Sequence, residues 1–271
     1  MKKGGAFVEF ESSENVSLMF SKLSSKNIVE YEGIEFKDDC FEKFLKETVS
    51  PSFRDTEYNT KMKTIAIDMT GFESNNLNEV FETMPKISEF RIGEIVAEKI
   101  VESRYTARFS YNSDRDLKNK NSNNTGADLV GFIELEDGAV KFLFGEVKTS
   151  SDKTTPPGVM YSNEGMIEQL KALGKDRDKI PSLVKWLFCK CIECEDVQVK
   201  NDIKQAMTNY CKDKNDIRLI GVLVRDTTPN ERDLKSRYTY LNKELTGRMP
   251  VQLLAVYSKY EMKNNAWKDL I

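Results

Sequence analysis

The chain has 271 residues, 39% of them hydrophobic and with aromatics throughout, which excludes a disordered chain and suffices for one large α/β domain or a core domain with a smaller extension. Its formal charge of −3 excludes a free-standing protein that coats nucleic acid by charge alone, so any basic surface must be local or supplied by a partner. It has no histidine, which removes Ser-His-Asp and Cys-His nucleophiles, His-ligated zinc and phosphohistidine chemistry, and leaves carboxylates, Lys, Arg, Tyr, Cys and hard metal ions.

No apolar run approaches the ~20 residues needed to cross a bilayer, and MKKGGAFVEFESS turns acidic before a signal-peptide core develops, so a soluble, cytoplasmic protein without a membrane partner is expected. Five cysteines, an odd number, argue for reduced thiols. In the first part of the chain AFVEFE alternates like a strand, IEFKDDCFEKFLKETVS reads as a helix ending before Pro51, and KTIAIDMT reads as a strand. Residues 1–87 are expected to form an N-terminal extension or subdomain, with Asp38, Asp39, Asp55 and Glu57 as solvated acids.

From Ser88 the pattern sharpens. ISEFRIGEIVAEKIVESR carries Ile92, Ile95, Val96, Ile100 and Val101 at helical spacing behind a Ser88 N-cap, with Glu94 beside the apolar stripe. A helical Glu is ordinarily solvated or salt-bridged; only its place upstream of the next element singles it out. TARFSY predicts a short strand. The polar NSDRDLKNKNSNNTG is either a solvated linker or, through Arg115, Lys118 and Lys120, a loop that contacts phosphate.

Residues 125–151, TGADLVGFIELEDGAVKFLFGEVKTSS, give the strongest local signal, an antiparallel hairpin with charge at its far end: Asp128 opens one strand, and Glu146 and Lys148 close the next. Glu146 and Lys148, two apart on a strand, share a face. A two-residue Asp137-Gly138 loop would set Asp128 against Val147, on the wrong face. A three-residue Glu136-Asp137-Gly138 loop sets it against Glu146, and that register is the one predicted.

Beyond the hairpin, Pro156-Pro157-Gly158 marks a loop, and EGMIEQLKALGKDRDKI a helix with Met166, Ile167, Leu170 and Leu173 on one side and Gln169 beside them. Pro181 opens another helix, PSLVKWLFCKCIEC, and VQVKNDIKQAMTNYCK a third. IRLIGVLVRD and VQLLAVYS are near-continuous apolar runs, as in strands buried on both faces. Between them ERDLKSRYTYLNKELTGR is basic and aromatic, an amphipathic surface helix or a surface for DNA or protein. Cys189, Cys191, Cys194 and Cys211 are either a four-thiolate zinc or iron–sulfur site, of which Cys191-x-x-Cys194 alone is half of a zinc signature, or, within a helical pattern, small hydrophobes.

Two carboxylates held together repel, and a divalent cation resolves the conflict. Asp and Glu oxygens, a backbone carbonyl and water suit Mg²⁺, which usually takes few protein groups together with substrate phosphate. Such an ion supplies an activated water and neutralises phosphate, with Lys148 an added cation, so these groups make a phosphodiester hydrolase that needs no histidine.

In order and context, helical Glu94, Asp128, Glu146-Val147-Lys148 and helical Gln169 resemble the PD-(D/E)xK nuclease superfamily from Ser88 to about Tyr257, with Ala127 in place of the proline that names it. The resemblance implies a restriction-endonuclease-like α/β core, a mixed sheet flanked by helices, over residues 88–271, with residues 1–87 as an α+β extension. It implies Asp128, Glu146 and the Val147 carbonyl as ligands of Mg²⁺ (or Mn²⁺), Lys148 as base or transition-state stabiliser, Glu94 as an accessory acid, and Gln169 as a group orienting Lys148 or DNA. Within the superfamily GADLVGF and FGEVKTS look like the HamA-type nuclease subunit of the Hachiman antiphage defence system, which implies DNA as substrate and a helicase subunit as partner. A standalone restriction or repair endonuclease, and a catalytically silent nuclease fold serving as a scaffold, remain open alternatives.

Overall fold

The two apolar runs late in the chain become neighbouring inner strands. In a computed structural model describing residues 15–23, 28–37, 39–81, 87–116, 126–176, 178–245, 249–262 and 266–271, β6 (Arg218–Arg225) and β7 (Val251–Tyr257) lie parallel, and every β6 residue after Arg218 is buried. Such strands need cover on both faces, which helices supply. On one flank β5 (Val140–Ser150) pairs parallel with β6, followed antiparallel by β4 (Leu129–Glu134) and the two-residue β3 (Ala107–Arg108). On the other, β2 (Val29–Phe36) lies parallel to β7, and β1 (Val16–Lys22) antiparallel to β2. The protein is α/β, with a seven-stranded mixed sheet ordered β1-β2-β7-β6-β5-β4-β3. The region before Ser88 thus contributes two strands to the sheet that the later residues build.

Alternation along the strands divides two cores. Phe142 and Phe144 of β5 join Leu219 and Leu223 of β6 beneath α5 (Met166–Lys175), α6 (Lys179–Cys191), α7 (Val197–Lys212) and α8 (Arg232–Glu244). Leu143 and Val147 join Ile220 and Val222 on the opposite face, against α1 (Cys40–Phe44) and α4 (Glu89–Tyr105). The apolar stripe of α4 is buried as its spacing predicts, and the Ser88 hydroxyl accepts a hydrogen bond from the Arg91 N–H at 3.1 Å. A Cβ on Gly93 would stand 2.0 Å from Thr149 Cγ2, so only glycine lets α4 press this closely on β5.

Three expectations for the first part of the chain change. Ile34-Glu35-Phe36 ends β2, and the helical stretch starts at Cys40. It does not stop before Pro51: it passes through a π turn (Leu45–Val49) into a 3₁₀ turn (Ser50–Phe53), where proline in the first turn forfeits no needed N–H. KTIAIDMT is helical, the second half of α2 (Thr56–Thr70), closed by Gly71 at φ +71°. No α2 residue is buried, so its alternating Ile65 and Ile67 never meet the sheet that their pattern suggested. The next helix is the single turn α3 (Asn78–Phe81). AFVEFE lies outside the described residues, as do Lys118 and Lys120.

Two loop expectations also change. Arg115 donates to Asp55 through Nε at 2.6 Å and a terminal nitrogen at 2.8 Å, and stacks 4.0 Å over the Tyr58 ring. It is committed to the fold, and Asp55 is an ion-pair partner rather than a solvated acid. The helix from Met166 ends at Lys175, and Pro181 is the third residue of the next one. No described helix is long and apolar enough to cross a membrane.

Candidate active site at the open end of β5

The hairpin register is set at its turn. Leu135 N–H donates to the Ala139 carbonyl at 2.9 Å and Gly138 N–H to the Leu135 carbonyl at 2.8 Å, which encloses a three-residue Glu136-Asp137-Gly138 loop. Gly138 sits at φ +77°, the left-handed conformation that closes such a loop without steric cost. The ladder then runs from Glu134 opposite Val140 to Leu129 opposite Gly145, and its continuation places Asp128 across from Glu146.

At that point β4 begins, and β5 continues alone on this side through Glu146–Ser150 while remaining paired with β6. The Val147 N–H, with no strand to meet, donates to Asp128 Oδ2 at 2.8 Å. In a strand the N–H and C=O of one residue point to the same side, so the Val147 carbonyl also faces the open edge beside Asp128. Sequence had Asp128 facing Glu146; it gave no hint that Asp128 also caps the orphaned amide.

Glu146 is 4% exposed. Burial first, and then the adjacent Asp128 carboxylate, push its pKa up to about 8, with Lys148 and Lys179 opposing the shift. When protonated, Glu146 hydrogen-bonds Asp128. Lys148 Nζ lies 3.9 Å from Glu146 Oε2 on the same face and is partly exposed. The structure thus gathers Asp128, Glu146, the Val147 backbone and Lys148 at one strand end, at the carboxyl ends of parallel strands where open α/β sheets commonly bind ligands.

Among the described residues no hydrogen bond or ion pair joins Glu94 or Gln169 to this group. Glu94 accepts from Arg91 at 2.9 Å, and the same guanidinium holds Asp114 at 3.0 Å. Burial raises the Glu94 pKa, opposed by Arg91 and reinforced by Asp128, so Glu94 senses Asp128 electrostatically. Gln169 lies on α5, whose Met166 and Leu170 pack against Gly221, the β6 neighbour of Glu146. Its Oε1 is buried with no hydrogen-bond partner among the described residues.

The donor set fits a hard cation that takes few protein ligands: two apposed carboxylates, one buried, with a carbonyl at an open edge. Among the described residues no three or more His, Cys, Asp or Glu side chains stand together at ligand spacing, so Glu94 does not complete a cage and further positions fall to water or substrate. The cysteines likewise form no such group among the described residues. Cys191 is buried, which drives its thiol pKa up to about 12, while Cys189 and Cys211 are exposed.

Of the basic and aromatic residues of α8, Arg237, Tyr238 and Tyr240 are engaged within the chain. Lys22 lies over Tyr238 at 5.1 Å, Arg237 over Tyr161 at 5.5 Å, and Lys171 donates to the Tyr240 hydroxyl at 2.8 Å. Sequence reasoning missed Lys179, whose charge reaches Glu146 from the first turn of α6. Pro181 marks that turn, but nothing local says where the turn will dock.

Compared with protein-family models and with curated proteins, the chain matches none of either.

The raised carboxyl predicts a pH signature. Unfolded, Glu146 titrates near 4.5; folded, it holds its proton to about 8. Its stabilising contribution is therefore complete below about 4.5 and is lost as pH rises through about 8. Metal-free protein should melt lower at pH 9 than at pH 6, and Mg²⁺ should raise the melting temperature at pH 9 far more than at pH 6. Burial also pushes the Glu98 carboxyl up, to about 6, and scanning calorimetry of wild type beside Glu146→Gln isolates Glu146 from Glu94, Glu98 and Cys191, because the variant should lose both responses. Identical pH and Mg²⁺ responses in the two proteins would refute the assignment.

Proposed function

We propose that this protein is a Mg²⁺-dependent DNA endonuclease of the PD-(D/E)xK type, with Mn²⁺ as a substitute ion. On this reading the sheet from β3 to β7, with α4 to α8, is a restriction-endonuclease-like core, and β1 to α3 an α+β extension. The observation that carries it is the apposition of Asp128 and Glu146, with Lys148 on the same face, where β5 outruns β4. A salt-bridge role explains this poorly, since one lysine at 3.9 Å faces two carboxyls and leaves Glu146 protonated near neutrality.

Asp128, Glu146 and the Val147 carbonyl would hold the ion. When bound, Mg²⁺ supplies charge neutralisation at a phosphodiester and a more acidic water. Lys148 offers its ammonium to developing negative charge, and β6 and α5 exclude bulk water from the inner side of Glu146. Gln169 is a group for orienting Lys148 or the DNA, and Glu94 an accessory acid whose Arg91 contact holds it in reserve. The acidic balance of the chain favours a nuclease that takes DNA from another subunit, which accords with a HamA-like effector working beside a helicase in antiphage defence.

The test is cleavage of supercoiled plasmid, linear DNA and RNA by the purified protein and by its native complex, in Mg²⁺, Mn²⁺ or EDTA. DNA should be cut with either metal and left intact in EDTA. Cleavage by neither preparation, with a partner still bound, would replace this reading with the scaffold one. Cleavage undiminished by EDTA would remove the metal from it.

A further inference from the structure

The geometry points to the backbone N–H of Thr149 as a donor to a nonbridging oxygen of the phosphate under attack. The inference rests on the nuclease reading and adds to it a main-chain group that none of the side chains named so far supplies.

Strand geometry fixes the direction of this bond. Along β5 the backbone groups of successive residues alternate between the two sides, so residues two apart face the same side. Val147 faces away from β6, because its N–H donates to Asp128 Oδ2 at 2.8 Å. The pairing of β5 with β6 runs without a break from Leu143 to Ser150. Thr149 therefore turns its N–H to the same side as Val147, about 6.6 Å further along the strand. β4 pairs no further than Gly145, so no strand meets this N–H, and among the described residues no side chain or loop carbonyl accepts from it. Thr149 itself is half-buried rather than enclosed.

Packing holds the donor in place. The Thr149 methyl fills the notch that Gly93 leaves in α4, and just past β5 the Ser151 hydroxyl donates to Asp226 Oδ2 at 2.7 Å. The open edge thus presents, in order, the Asp128 carboxylate, the Val147 carbonyl and the Thr149 N–H. The first two are the ligands proposed for the ion. The third is a donor, which holds no cation and suits an anionic oxygen. Lys148, between them in sequence, projects from the face of the sheet beside Glu146. A phosphate at this corner would meet the ammonium from the face and the N–H from the edge. The opening is too short to pair a peptide strand: Asp128 already takes the Val147 N–H, which leaves one donor where strand addition needs a row of them. A donor fixed by packing needs no reorganisation as charge builds on a reacting phosphate.

Steady-state cleavage of linear DNA in Mg²⁺ by the intact chain tests this. One variant carries an ester in place of the Lys148–Thr149 amide, with a valine side chain at that position, and is measured against Thr149→Val, which keeps the N–H. The ester should lower kcat about a hundredfold below that of Thr149→Val and hold KM within about twofold, because the bond strengthens as charge develops. Thr149→Pro removes the same N–H and leaves the Lys148 carbonyl an amide. Proline is tolerated where the N–H of a strand faces its open edge, and this variant should show the same split between kcat and KM. An ester that cuts as fast as Thr149→Val, with Glu146→Ala inactive, would overturn the inference and leave the nuclease reading standing. So would a raised KM with kcat kept, which moves the donor away from the reacting phosphate. Cleavage by Glu146→Ala at the wild-type rate would take down the nuclease reading and this inference with it.

Discussion

On the nuclease reading, Glu146→Ala should reduce Mg²⁺-dependent DNA cleavage by roughly a thousandfold or more, because it would remove one of the two carboxylates that the described residues offer the ion. Lys148→Ala should cost about a hundredfold to a thousandfold, the usual effect of deleting one charge-stabilising donor from a water-poor site. The two losses have different origins and can be told apart. Excess Mn²⁺, which binds oxygen ligands more tightly than Mg²⁺, should recover part of the Glu146→Ala loss and little of the Lys148→Ala loss. Neither variant should unfold. Removing Glu146 relieves a buried like-charge contact, so at pH 9 the metal-free Glu146→Ala protein should melt no lower than wild type. A fluorogenic DNA assay and a melting curve on the same preparations decide the matter, and wild-type turnover in both variants would sink the site assignment.

How much of this site could be read from sequence depends on how far apart its parts lie. The Asp128–Glu146 apposition was legible because both residues belong to one hairpin and, of its two candidate loops, only the three-residue one sets the acids opposite each other; Gly138 at φ +77° closes that loop. The α4 stripe and the inner strands β6 and β7 were legible for a similar reason, since burial on one stripe or on both faces writes a period or an unbroken run into adjacent residues. The KTIAIDMT segment failed because alternation at Ile65 and Ile67 competes with helical spacing at Met62, Ile65 and Met69, and α2 packs too little for burial to arbitrate. The pairing of β2 with β7 spans more than two hundred residues, and β-branched content names a strand without naming its partner. The docking of α6 is a failure of the same kind: Leu183 lies 57 residues beyond the Gly126 turn that it touches, and nothing local in either names the other.

Arg225→Met should destabilise the protein by about 3–5 kcal/mol, the largest structural effect expected of any single substitution considered, because it strands a buried carboxylate. Arg225 is 1% exposed at the end of β6, and Asp233, in the first turn of α8, is 0% exposed. The guanidinium donates to Asp233 Oδ2 at 2.5 Å, to the Thr154 carbonyl at 3.2 Å and to the Asp152 carbonyl. The Tyr257 hydroxyl donates to the same Asp233 oxygen at 2.8 Å, and burial together with that carboxylate holds the phenol's pKa above its ordinary value. One side chain therefore joins the end of β6, the start of α8, β7 and the chain leaving β5 just after Lys148. Urea unfolding monitored by circular dichroism measures the cost. The double variant Arg225→Met, Asp233→Leu should recover most of it, since an apolar pair replaces a buried ion pair at little expense once neither charge is left alone. A double variant as unstable as the single one would mean that the bonds to the Asp152 and Thr154 carbonyls, rather than the ion pair, are what Arg225 chiefly contributes. In that case DNA cleavage should fall in both variants under conditions where both remain folded, because the segment those carbonyls belong to runs directly on from the strand that carries Glu146 and Lys148.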